Sequence, residues 1–185
     1  MALSVPVDEK KLVEQLHDPA RSSAAFDTLM RLYGEQIYWQ IRKMVISHDD
    51  ASDLLQNTFL KAWNNIDNFR GDAKLSTWLY KIAVNESINF LNKERAKNNI
   101  SKDDNDSFLV HTLEADEYFD GDKLHLDLQK ALLTLPEKQR LVFNMKYFQE
   151  MKYEEISSIL GTSVGALKAS YHHAVKKIED YFSKI

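Results

Sequence analysis

The stretch YEEISSILGTSVGALKASYHHAVKK, residues 153–177, reads as two short helices joined by a tight turn. Ile156, Ile159 and Leu160 make the apolar stripe of the first helix. Gly161 suits its C-terminus, because glycine alone takes positive φ without strain. Ser163 is a good N-cap for the second helix. At 100° per residue, Val164, Leu167, Tyr171, Ala174 and Ile178 fall on one side of that helix and can pack on the first. The other side carries Gly165, Lys168, Ala169, His172, His173 and Lys176. From Gly161 to Ile178 there are three lysines and no acid. A helix-turn-helix whose second helix enters a DNA major groove needs this combination: close approach without bulk, then cations near phosphates. Two helices that merely pack around a glycine turn would share part of the pattern, so the rest of the chain must weigh in.

A chain of 185 residues can form one domain or two small ones. Glycine and proline are scarce, 5 and 3, and alternating apolar runs are absent, which predicts an all-α fold. No stretch approaches the roughly 20 apolar residues of a membrane span. The start, MALSVPVDEKK, lacks a basic segment followed by an apolar run, so cytoplasmic residence is expected. With no cysteine there is no disulfide or thiolate metal site. A net charge of −4 conflicts with nucleic-acid binding until its distribution is seen. Ser101–Asp122 holds eight acids and one lysine, or −7, and subtracting that from −4 leaves +3 for the remainder.

Residues 1 to about 20 leave room for one frayed helix ending at Pro19. Phe26, Leu29, Met30, Tyr33, Ile37, Ile41 and Met44 give a helical stripe over Ser23–Ser47. Asp49 or Asp50 can cap a following helix, Ala51–Asn65, with Ala51, Leu55, Phe59, Ala62 and Ile66 as its buried side. Opposite lie Asp50, Asp53, Leu54, Asn57, Leu60, Lys61 and Asn64. Two leucines in an acidic, amide-rich outer face suggest a protein partner; scattered surface leucines are the alternative. Phe69–Lys74 is a loop with a turn at Gly71. A long helix follows from Leu75 to about Lys97, and Lys74, Trp78, Lys81, Asn85, Asn89 and Asn92 share one strip of its surface. Amides, lysines and an aromatic ring suit unpaired nucleobases and phosphates; the competing reading puts Trp78 in the core and the rest in solvent. Residues 99–122 read as a flexible acidic linker with a short turn at Phe108–Leu113. Leu124, Leu128, Ala131 and Leu132 then mark one helix, and Pro136 fits the first turn of another carrying Val142, Phe143 and Met145. The prediction is therefore all-α, with two small helical domains, 1–98 and 123–185, the second ending in the helix-turn-helix.

These residues resemble a known family. HDDASDLLQNTFLKAWNNIDNFRGDAKLSTWLYKIAVNESINFLNKERA resembles the second conserved region of bacterial sigma factors, and LTLPEKQRLVFNMKYFQEMKYEEISSILGTSVGALKASYHHAVKKIEDYF the fourth. A short linker with no third domain is similar to the extracytoplasmic-function (ECF) class of the sigma-70 family. The likeness spans roughly residues 21–98 and 123–182, two separate motifs in the right order.

The resemblance implies roles. The acidic helix, through Asp50, Asp53, outward-facing Leu54, Gln56, Asn57 and Leu60, would bind the β′ clamp helices of core RNA polymerase, with the β flap as a further contact. Arg70, Lys74, Trp78, Lys81, Asn85 and Asn89 would read and open the −10 promoter element, trading base pairing for stacking and hydrogen bonds. Ser163, Gly165, Lys168, Ala169, His172, His173 and Lys176 would read the −35 element. The family's recognition helix usually runs Ser-x-Gly-Thr-Val-Lys-Ser-Arg-Leu with more arginines. Here Ser163, Gly165 and Lys168 are kept, and the missing arginines reduce phosphate contacts. Adjacent His172 and His173 point apart and make a poor metal pair.

Such a protein would be a dissociable specificity subunit with no chemistry, cofactor, metal or small-molecule substrate of its own. Its tether would let two weak DNA contacts act together on the polymerase. The resemblance also implies an anti-sigma partner, often membrane-anchored. Two rivals differ in kind. A stand-alone helix-turn-helix regulator would need a dimer interface, yet no heptads are seen. An enzyme built on Asp49, Asp50 and Asp53 would need ligands elsewhere, since successive residues of one helix do not converge.

Overall fold

The computed structural model describes residues 8–97, 109, 110, 113 and 123–184. Eight α-helices are assigned within these residues: α1 Glu9–Leu16, α2 Ser22–Val45, α3 His48–Asn65, α4 Leu75–Lys97, α5 Lys123–Leu133, α6 Glu137–Phe143, α7 Tyr153–Leu160 and α8 Val164–Phe182. No strand occurs among the described residues. A 3₁₀ turn, Ile66–Asn68, ends α3, and a π turn, Asn144–Phe148, extends α6.

In the N-terminal half α2, α3 and α4 pack on one another, with α1 laid against α2. The stripe read from the sequence is the reason: Leu29, Ile37, Ile41 and Met44 of α2 are at most 2% exposed. Each buried Leu, Ile or Met contributes about 1.5–3 kcal/mol relative to exposure. Phe26 meets Phe59 and Trp63 edge to face, with ring centroids 6.1 and 5.0 Å away, clamping the start of α2 to the end of α3.

Only Ile46 and Ser47 separate α2 from α3. Ile46 has φ 70° and ψ −45°, and the Ser47 N–H donates to the Val45 carbonyl at 2.9 Å. This is a γ-turn with a β-branched residue at positive φ, a strained arrangement that costs about 1–3 kcal/mol. The Ile46 side chain is buried in the bundle, which offsets that strain. Ser47, rather than Asp49 or Asp50, is the cap of α3: its hydroxyl accepts from the Asp50 N–H, so the helix begins at His48.

In the C-terminal half α8 is the centre, touching α5, α6 and α7. Phe143 stacks on Tyr171 at 5.7 Å, and Leu132, Leu135 and Ala174 close that core. Pro136 occupies the N-cap of α6, one position before its first turn.

The halves are not apart. α7 packs against α4, and the π turn meets α2. Leu75, Leu79 and Val84 of α4 belong to the same connected core as Met145, Met151, Ile156 and Ile159. Of the acidic linker, Leu109, Val110 and Leu113 are described: all three are helical, and Leu109 and Leu113 are 0% and 3% exposed in that shared core. The rest of the segment read as flexible lies outside the described residues.

Candidate functional site

The helix-turn-helix forms at the residues expected to make it. Gly161 ends α7 with φ 61° and ψ 31°, and its N–H donates to the Ser157 carbonyl. A Cβ there would meet nothing within 4 Å, so the backbone angle, and not crowding, is what calls for glycine. The Ser163 hydroxyl accepts from the Ala166 N–H at 3.4 Å and starts α8. Leu167 and Ala174 are buried, while Ser163, Gly165, Lys168, Ala169, His172, His173 and Lys176 are all exposed. A Cβ at Gly165 would also meet nothing. The surface around it is therefore open, with Lys168 and Lys176 beyond. The Lys168 ammonium lies 5.8 Å from the centre of the Tyr153 ring, which ties the second helix to the first.

On α4, Lys81, Asn85 and Asn89 are exposed at successive turns, and Arg70 is exposed on the preceding loop. Phe69 is buried and packs on Trp78 at 5.1 Å, anchoring that loop to the helix. Trp78 is half-buried: its ring packs on Phe69 and part of the residue remains in solvent. Lys74 differs from its neighbours. Its ammonium lies 2.9 Å from the Glu155 carboxylate of α7. That hydrogen bond raises the Lys74 pKa and lowers that of Glu155.

On α3, Asp53, Gln56, Asn57 and Leu60 are exposed and Asp50 is half-buried. Leu54 is not outward: it is 5% exposed. The physical reason is that α3 packs on both α2 and α4, so it needs a wider apolar face than one stripe. Leu54 and Thr58 supply the second strip, and the Thr58 hydroxyl is satisfied by the Leu54 carbonyl at 2.7 Å. The outer face holds an apolar feature that the sequence reading missed. A groove of about 610 Å³ runs between α2 and α3, lined by Phe26, Met30, Phe59, Leu60 and Trp63 with Gln56 at its edge. Leu60 is 61% exposed and Trp63 40%. Trp63 follows Leu60 by three residues, one helical turn, and belongs to neither stripe first drawn; that spacing was the available signal.

Asp49, Asp50 and Asp53 share one helix, and among the described residues no group of three or more His, Cys, Asp or Glu is placed to hold a metal. No helix among those residues is long and apolar enough to cross a membrane.

The comparisons with known proteins agree with this layout. The family description "Sigma-70 region 2" matches residues 29–97, and "Sigma-70, region 4" matches residues 125–178. The chain is 31% identical over 156 residues to the ECF RNA polymerase sigma factor SigW of Bacillus subtilis, covering 80% of this chain and 83% of that one. It is 27% identical to the RNA polymerase sigma-H factor of Pseudomonas aeruginosa, covering 92% of both. Among solved structures it is similar in fold to CnrH in complex with the cytosolic domain of CnrY, with TM-score 0.70, 22% identity, and 95% and 97% of the two chains covered. It is also similar to the sigma factor RpoE of Bartonella quintana in complex with the anti-sigma factor NepR, with TM-score 0.67, 23% identity, and 85% and 96% covered. With the two regions in order and a relative above 30% identity over most of both chains, this protein belongs to the ECF class of the sigma-70 family of RNA polymerase sigma factors.

Proposed function

We propose that this chain binds core RNA polymerase and directs it to promoters, reading the −35 element with α8 and reading and melting the −10 element with α4. One observation carries the proposal: the two polar faces, Lys81–Asn85–Asn89 and Gly165–Lys176, are solvent-exposed on separate halves of the chain, each built over its own packed side. On α8, absence of side-chain bulk at Gly165 suits close approach to base edges, and Lys168 and Lys176 suit phosphates. On α4, amides at helical spacing suit bases that have left the stack, with Trp78 and Arg70 as neighbours for stacking and phosphate contact. Neither face contributes chemistry; both position nucleic acid.

The polymerase-binding face is assigned to α3, through Asp50, Asp53, Gln56, Asn57 and Leu60, and extended to the Met30–Trp63 groove. An apolar trough rimmed by carboxylates and amides suits a partner that presents apolar and basic side chains together. Leu54 acts behind this face as core. The domain limits follow: 1–98 for polymerase and −10 contacts, 99–122 as connector, 123–185 for the −35 element. Two fold relatives are described in complex with CnrY and NepR. By analogy, control by an anti-sigma protein that covers the α3 face or enters between the halves is part of the proposal.

Run-off transcription with purified core polymerase on genomic fragments, with and without this protein, tests it. Discrete protein-dependent start sites are expected. Tight sequence-specific binding of the isolated protein to duplex DNA, with no effect on polymerase, would favour a stand-alone regulator instead.

A further inference from the structure

We propose that Glu9 is a positioning residue for the −10 element: from α1 its carboxylate caps α4 and so fixes the loop and the helix face assigned to −10 contacts. The inference rests on the functional reading above for its consequence; the cap itself does not depend on it. Helix α1 lies before the first matched region, which begins at residue 29.

The start of α4 needs a cap that its own sequence does not supply. Leu75, its first residue, is 0% exposed, so water cannot receive its N–H. The first N–H groups of a helix have no intrahelical partner, and a buried donor left unpaired is costly. Caps commonly come from the residue just before the helix, through a short side-chain oxygen. That residue here is Lys74, whose ammonium only donates. The acceptor comes instead from 66 residues away: Glu9 Oε1 receives the Leu75 N–H at 2.5 Å. A carboxylate at this end also meets the positive pole of the helix.

Glu9 is held in place to do this. Asp8 caps α1 by accepting from the Lys10 and Lys11 N–H groups, and Leu12 and Leu16 are buried in the core of the bundle. Glu9 is also close enough to Tyr33 of α2 to add to burial in pushing that phenol up. It thus sits where α1, α2 and α4 meet.

What the cap holds is the surface assigned to the −10 element. Residues 70–74 are all exposed, and Gly71 turns at φ 77°. The loop is pinned at its two ends, by the Phe69 ring on Trp78 at 5.1 Å and by Leu75 under Glu9. Arg70 lies between those pins, and Trp78, Lys81 and Asn85 follow the capped end along α4. Fraying of that first turn would loosen Arg70, Lys74 and Trp78 while leaving the face on α3 as it is. An element already in its binding geometry avoids the ordering cost at the moment of contact.

The test compares full-length Glu9→Ala, Glu9→Gln and Ile37→Val with the parent. The first removes the acceptor. The second keeps an oxygen for the N–H and loses the charge. The third trims a buried side chain of α2 and lowers stability without touching the cap. In the free protein, amide hydrogen exchange at Leu75, relative to Ala83 in the middle of α4, should speed up in Glu9→Ala by about fivefold, the usual effect of a lost cap. The preference for the parent −10 sequence over a substituted one, read by run-off transcription with core polymerase, should narrow by a similar factor. The −35 preference and capture of core polymerase should not change. Glu9→Gln should recover most of both losses, and Ile37→Val should show neither. Unchanged exchange at Leu75 in Glu9→Ala overturns the cap. An unchanged −10 preference despite faster exchange overturns the positioning role, as does equal narrowing in Ile37→Val. If the parent itself gives no promoter-directed transcript, the functional reading falls and the positioning role with it, while exchange at Leu75 still decides the cap.

Discussion

The Glu155 carboxylate faces two ways: one oxygen accepts from the Lys152 N–H at 2.9 Å, at the start of α7, and the other lies 2.9 Å from the Lys74 ammonium of the other half. One side chain thus both caps a helix of the helix-turn-helix and holds that motif against the N-terminal bundle.

A pH dependence follows from this pair. Glu155 is shifted down, first by its hydrogen bond to Lys74 and next by the Lys152 N–H. Its contribution is therefore present above the ordinary carboxylate range and is lost as pH falls through the lowered value. Lys74 is shifted up by the same contact, so its contribution is full below the ordinary lysine range and is lost as pH rises through the raised value. The pair is intact across neutral pH and fails first in acid. The Lys74 side chain is mostly exposed, so salt weakens the pair. Thermal melts of the parent and of Glu155→Gln should differ at pH 7 and converge at a pH below the lowered Glu155 value. An equal gap at both pH values would disprove the assignment.

The two glycines of the motif should respond in opposite senses. Gly161→Ala forces a side chain into positive φ and should destabilise by about 1 kcal/mol. Gly165→Ala lies in the first turn of α8 at ordinary φ, with open space for the methyl group, and should stabilise by up to about 1 kcal/mol. The same Gly165→Ala should weaken −35-dependent transcription if this face meets base edges. Chemical denaturation and run-off assays on both variants separate the effects. A Gly165→Ala protein with unchanged promoter use would remove that face from the groove.

Leu54 and Leu60, six residues apart on α3, should separate core from interface. Leu54→Ala removes a buried side chain and should cost about 2–5 kcal/mol. Leu60→Ala, at an exposed site, should stay within about 0.5 kcal/mol of the parent in stability. Yet Leu60→Ala and Trp63→Ala should each weaken capture of core polymerase, measured by surface-immobilised binding. Undiminished capture by both would remove the groove from the polymerase interface.

Asn85→Ala with Asn89→Ala should leave the melting temperature within a few degrees of the parent, because both side chains are exposed. On linear promoter DNA the pair should lose open-complex formation read by permanganate reactivity. On a template already unpaired at −10, much of the loss should be recovered if the amides act in opening; failure to recover would confine them to base reading.

Much of the fold was legible because it rests on short-range rules. Gly161 and Ser163 bound the helix-turn-helix by backbone angle and capping, both local. The stripe of α2 was plain because one face of that helix does most of the burying. Leu54 was misread because its burial depends on a second neighbour, α4, which no periodicity within α3 announces. The Met30–Trp63 groove was missed because its walls come from two helices. The contact between the halves was hidden for the same reason: Tyr80 and Gln149 are 69 residues apart, and only the folded chain brings them within 3.1 Å. The Ser47 cap was passed over in favour of two aspartates, since all three are competent caps and the corner before them decides among them.

The strained corner at Ile46 sets the register of the whole α2–α3 hairpin. Met30 lies 15 residues before Val45, the last residue of α2, and Trp63 lies 15 after His48, the first of α3, so they face each other across antiparallel helices. One residue inserted at this corner would rotate α3 by about 100° and slide it about 1.5 Å, swinging Trp63 away from Met30 and dismantling the trough while leaving both helices free to form. Chain length at that point is therefore as much a part of the docking surface as the side chains that line it.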